Sequence, residues 1–326
     1  MFYKLVLNNT NVVGNYNTQL QYNFISGTFH IPEDSRMCLS SLTLPYSWFN
    51  INSTLYNNAS FSYIWYYGAG LSTTYTVNIA DGFYTLDSLQ QYLELYMISQ
   101  NQYFTNTLTG QNLYYIYFST NSTYYAIQLI CSPIPTSVPS GYTAPSAGFN
   151  YNNSTNYGFP TSTTTPQVVI SSSNKFGSLI GFSAGTYPKT SSSSTANNLG
   201  NLTPNLTPVN SLILLCNLVR NEVSSQSNIF TSIPISDTQF GSNINYQPNF
   251  QNWVSIQSGS YSSFQISIVD QNFNYIEAKD PNMLITITME VPDKPKFSLP
   301  TPKKIISANT LYNEEIPANR SSASYS

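Results

Sequence analysis

Over residues 284–291 apolar and polar side chains alternate. Ile285, Ile287, Met289 and Val291 fall on one side, and Thr286, Thr288 and Glu290 on the other. Residues 264–270 repeat the pattern with Gln265 and Ser267 as spacers. A two-residue period puts apolar side chains on one face of an extended strand, and a helix cannot use it. The spacers are mostly amides and hydroxyls: only 8% of the chain is charged, against about a quarter in soluble globular proteins. Aromatics make up 15%, with 27 Tyr and 18 Phe, and such residues suit a pleated, half-buried surface. The same composition excludes a disordered chain, which lacks aromatics, and a coiled coil, built on Ala, Glu, Lys, Leu and Arg. The chain reads as all-β.

A length of 326 residues accommodates one large β domain or two smaller ones, with a sizeable core in either case. Strand-like segments bounded by turn formers lie at 19–25, 37–44, 60–66, 73–79, 114–119, 124–130, 168–171, 212–219, 229–235, 253–257, 264–270 and 284–291. One segment reads as a helix. Thr85 suits its N-cap, Asp87 its positive end, and Leu86, Leu89, Leu93 and Met97 recur at helical spacing as far as Gln100. Such a stripe is expected to seal a β core.

Charge is unevenly placed. Residues 95–174 carry none, and Lys175 and Lys189 are the only charges over 95–219. Within that region 132–166 and 183–209 are rich in Ser, Thr, Asn, Gly and Pro, and NLTP occurs twice in tandem at 201–208. These read either as flexible loops or as an exposed neutral recognition surface. The last ~35 residues change again, with Lys294, Lys296, Lys303 and Lys304 among prolines. This is expected to be an extended tail, either solubilising or ordered by a partner.

Net charge is −3, which gives no electrostatic reason for nucleic-acid or anionic-membrane binding. Cys38, Cys131 and Cys216 are far apart, odd in number and set in apolar contexts. They are expected to be buried small hydrophobes, not a disulfide framework or a zinc site. The apolar run LVL near the N-terminus is too short for a signal-peptide core, and no stretch approaches the ~18 apolar residues of a membrane helix. A cytosolic product is expected.

Little points to catalysis. His30 is the sole histidine, without a GxSxG elbow, and reads as structural. A glycosidase would need paired carboxylates. Asp81, Asp87 and Glu94 cluster around the helix, where capping explains them, and Glu33 and Asp34 suit a turn. Asp270 and Asp280 lack the oxygen spacing of a calcium loop. The expectation is no enzyme, no cofactor and no metal.

Several segments resemble the penton (minor capsid) proteins of the virophage and Polinton-like double-stranded DNA virus group. They are LTLPYSWFNI (42–51), DGFYTLDSLQQYLE (81–94), FGSLIGF (176–182), NSLILLCNLV (210–219), FTSIPI (230–235), VDQNFNYIE (269–277) and LITITMEV (284–291). They occur in the expected order. The resemblance implies an all-β single jelly roll of two antiparallel Greek-key sheets, with one short helix and a β/loop-rich insertion. It also implies a homopentamer closing the vertices of an icosahedral shell, with double-jelly-roll major capsid neighbours and a virion location, after assembly in the host cytoplasm or nucleus. On this reading 1–131 and 210–298 form a discontinuous roll core, and 132–209 an insertion with some core strands near 166–182. Residues 299–326 form the tail. Tyr46 and Phe49 are candidate subunit contacts, though also candidate core residues, with Trp48 leaning to core. Lys294, Lys296, Lys303 and Lys304 are candidate partner contacts in the tail. The other reading is a carbohydrate- or receptor-binding β module, with the insertion meeting a host-surface glycan or receptor.

Overall fold

The computed structural model describes residues 1–221, 226–235 and 238–292. Eight strands build a sandwich: β1 (Phe2–Asn8), β2 (Gln19–Asn23), β3 (Arg36–Pro45), β4 (Ser211–Cys216), β5 (Ile229–Pro234), β6 (Asn243–Tyr246), β7 (Ser263–Asp270) and β8 (Leu284–Glu290). One sheet runs β1-β8-β3-β6, joined by Val254–Ser255 alongside β3, and the other runs β2-β7-β4-β5. Every pairing is antiparallel. Successive strands cross from sheet to sheet except at the β4–β5 hairpin. That order is a jelly roll.

The alternation in the sequence sets the register. Leu5 stands opposite Ile287, and Leu42 opposite Ile285. Leu5, Leu7, Leu42, Leu44, Leu212, Leu214, Ile266, Ile268, Ile285 and Ile287 all point into one buried cluster. Fully burying each such side chain is worth about 1.5–3 kcal/mol. The other face of β8 is drier than its threonines suggest, because Thr286 is buried too.

The connection from β3 to β4 spans 46–210 and holds a second core. Strands Ser60–Tyr67 and Leu71–Asn78 pair in one sheet with Gln167–Ile170 and Gly185–Tyr187, while Ile116–Asn121, Ala126–Cys131 and Ala196–Leu199 form another. Helix α1 (Leu86–Ser99) contributes Leu86, Leu89, Leu93 and Met97 to this core. Thr85 caps it by accepting from Ser88 N at 3.2 Å. A buried polar chain threads the core. The Tyr63 hydroxyl donates to Gln102 Oε1 (2.5 Å), and Gln102 Nε2 and the Tyr75 hydroxyl both donate to Asn150 Oδ1 (3.0 and 3.1 Å).

Three expectations change here. The strands between 60 and 131 belong to the second cluster, not to the roll core, so the boundary between the cores lies near residue 49 and not at 132. The Ser/Thr/Asn-rich stretches are not merely loops: Ile134 and Phe149 are buried in the second core, and Phe149 stacks between Phe104 and Phe159. The structure also has a second helix, α2 (Phe176–Ile180), inside FGSLIGF. Both of its glycines are sterically required. A Cβ on Gly177 would lie 2.4 Å from Phe182 O, and Gly181 ends the helix at φ +79 with Leu202 O 2.6 Å from a Cβ.

Candidate assembly surface

The roll and its insertion meet where the chain leaves β3 and returns to β4. Tyr46 packs on Trp48 (4.5 Å between ring centroids), Phe83 (5.7 Å) and Phe240 (5.9 Å). Phe83 and Phe240 stack at 4.4 Å. Tyr46 is therefore buried within its own chain, in the core setting that its sequence context also allows. Trp48 is buried in the roll core, as its apolar setting suggests. Phe49 is half-buried with Lys279 Nζ 4.9 Å over its ring, a cation–π contact.

Asn50 ties the two crossing segments together. Its Nδ2 donates to Tyr84 O and Leu206 O, both at 2.7 Å, and its Oδ1 accepts from Tyr84 N at 2.8 Å. The side chain is 1% exposed. Nothing in the sequence sets it apart from the many other asparagines. Asn50→Ala leaves buried backbone groups unpaired, and the insertion is expected to lose about 2–3 kcal/mol, read as a lower melting temperature of its own unfolding transition.

The roll's lateral edges are β1/β2 on one side and β6/β5 on the other, the terminal strands of the two sheets. Between β1 and β2 opens a cleft of about 400 Å³ walled by Tyr3, Tyr22, Phe24, Ile25 and Phe29. Ile25 is 100% exposed. On the outer face of the first sheet Phe2 is 65% exposed, with Trp253 beside it at 6.1 Å and Arg36 over the Trp253 ring. Residues 11–13 already line part of β2, where Gln19 O accepts from Val13 N (2.8 Å) and Gln21 O from Asn11 Nδ2 (3.1 Å); the exposed apolar side chains are what suit this edge to contact with another chain.

Several of the acidic side chains make local structural hydrogen bonds. Asp81 accepts from Ser53 N (2.8 Å), and Asp270 accepts from the backbone N–H groups of Asn272 and Asn274 (both 2.8 Å). Asp280 accepts from Asn282 N, and Glu94 from Gln90 Nε2. Exposed His30 meets Ser260 Oγ at 3.2 Å. Among the described residues, no three His, Cys, Asp or Glu side chains come together as metal ligands, and no helix is long and apolar enough to cross a membrane. Lys294, Lys296, Lys303 and Lys304 lie outside the described residues.

All three cysteines are buried and unpaired, as their apolar contexts imply. Burial raises the Cys38 thiol and pushes those of Cys131 and Cys216 up from 9.0 to about 12. Tyr75 is likewise pushed up to about 12, mainly by burial. The fold holds these groups neutral. Their contribution to stability is complete below pH 9 and is lost as pH rises from 9 towards 12, because the unfolded chain releases those protons first. Melting temperature is expected to fall across that window. At pH 8 a thiol reagent is expected to leave the native protein unmodified and to label it fully once denatured.

No family model matches the sequence, nor does any curated protein. Solved structures do. The crystal structure of the selenomethionine-labelled mavirus penton protein matches at 10% identity with a TM-score of 0.42, over 88% of this chain and 97% of that one. The chain is similar in structure to a penton protein. The cryo-EM structure of the Sputnik virophage at 3.5 Å resolution matches at 12% identity and a TM-score of 0.37, over 89% of this chain and 97% of that one. The strand order alone specifies the jelly roll.

Proposed function

We propose that this chain is a structural capsid protein whose five copies close the vertex of an icosahedral double-stranded DNA virus shell, beside double-jelly-roll major capsid proteins. The observation that carries the reading is the eight-strand roll with two unlike lateral edges. A five-membered ring needs a heterologous contact, in which one edge meets a different edge of the next copy. The β1/β2 edge offers an aromatic cleft and fully exposed Ile25, and on this reading it meets the β6/β5 edge of the next copy, where β6 presents Asn243 and Asn245 to solvent. Five of the seven motifs fall on or border this roll: LTLPYSWFNI runs from β3 into the insertion, NSLILLCNLV and FTSIPI supply β4 and β5, and VDQNFNYIE and LITITMEV close it, while DGFYTLDSLQQYLE and FGSLIGF lie in the insertion. Low charge keeps like charges from crowding around the ring. Phe49, at the roll–insertion boundary, is a second point for a neighbour to touch. Lys294, Lys296, Lys303 and Lys304 form a basic segment that contacts a partner within the virion.

Ile25→Asp tests the ring contact. The side chain is fully exposed, so folding is expected to be unchanged within about 0.5 kcal/mol. A charge buried against the apolar edge of a neighbour is expected to shift the protein from pentamer to monomer in sedimentation analysis. An undiminished oligomer would remove the β1/β2 edge from the interface.

A further inference from the structure

The strands Ile116–Asn121 and Ala126–Cys131 form a hairpin whose turn presents Tyr124 and Tyr125 to solvent, 68% and 76% exposed. Tyr125 has φ +48, a left-handed conformation that Asn or Gly adopts far more cheaply than a bulky residue. Its local cost is not repaid by burial. Beside this turn, a cleft of about 310 Å³ is walled by Asn121, Ser122 and Tyr125 on one side and by Pro204, Leu206 and Thr207 on the other. That is the size at which ligand pockets begin, about 300 Å³.

No residue lining the cleft is charged, and none in 95–174 is either. Single-stranded nucleic acid needs a basic groove, and an anionic lipid surface needs cations. The cleft instead combines one aromatic face, a patch of proline and leucine, and the hydroxyls and amide of Ser122, Thr207 and Asn121. A sugar ring presents an apolar C–H face and a rim of neutral hydroxyls, and it fits this combination. We propose that the insertion binds a neutral oligosaccharide in this cleft, with Tyr125 as the stacking face and Asn121, Ser122 and Thr207 as hydrogen-bonding groups. The site is independent of the vertex reading, because all its residues come from one copy.

The test uses the full chain on an array of neutral, sialylated and sulfated glycans, followed by titration of the best neutral oligosaccharide by saturation-transfer NMR. Neutral glycans are expected to bind. Tyr125→Asn removes the ring and suits the positive φ, so it is expected to weaken binding at least about tenfold with the melting temperature equal or higher. Leu108→Ala, at a residue 94% exposed and outside the cleft, is expected to bind as the parent does. A blank array, binding restricted to anionic glycans, or undiminished binding by Tyr125→Asn would overturn the proposal. So would a fall in melting temperature in that variant, since the ring would then be structural.

Discussion

A chain lacking residues 51–205, with Asn50 joined to Leu206 by a short Gly/Ser linker, is expected to fold as a complete jelly roll and to unfold cooperatively. The two cut ends are already adjacent, because Asn50 Nδ2 donates to Leu206 O at 2.7 Å. No buried member of the roll's core comes from the excised segment, and its one apolar contribution is the partly buried Phe83. Losing that ring uncovers Tyr46 and Phe240, a cost of the order of 1 kcal/mol per aromatic pair. Far-UV circular dichroism of a β protein and a sharp melting transition would bear this out. A molten or insoluble product would show that the roll depends on its insertion.

The second large effect concerns the insertion's own core. Phe104 is fully exposure-free there, stacked on Phe149 at 4.5 Å and edge-on to Tyr115 at 6.1 Å. Phe104→Ala leaves a cavity and is expected to cost about 3–5 kcal/mol. Because the two cores share no buried residues, the loss should fall on one calorimetric transition and spare the other. Leu214→Ala, in the roll, should do the reverse at about 2–5 kcal/mol. Equal shifts of both transitions would mean that the two cores melt as one cooperative unit.

Much of the fold was legible in the sequence, and the misses share a cause. Strands β3, β5, β7 and β8 lie where turn-bounded apolar segments predict them, within a few residues, and in β7 and β8 the alternation also marks the buried face. β1 escapes the same reading: Tyr3, Leu5 and Leu7 alternate, but Phe2 and Val6 on the opposite face are also apolar and hide the period. β6 escapes because Ile244 is its sole buried residue among asparagines. Which core a strand joins is not encoded in its own alternation. Ser60–Tyr67 and Leu284–Glu290 carry similar patterns and bury them against different partners. The candidate contact residues were harder still. Tyr46 and Phe49 are three apart in one aromatic stretch, and only the return of Phe83 and Phe240 decides that Tyr46 is enclosed.

The central claim is a five-membered ring, and mass measures it most directly. Native mass spectrometry of the full chain, alone and with a double-jelly-roll major capsid protein, is predicted to give a species of about 182 kDa, five times the 36.4 kDa chain. A protein that stays at 36.4 kDa at high concentration and with that partner present would contradict the account.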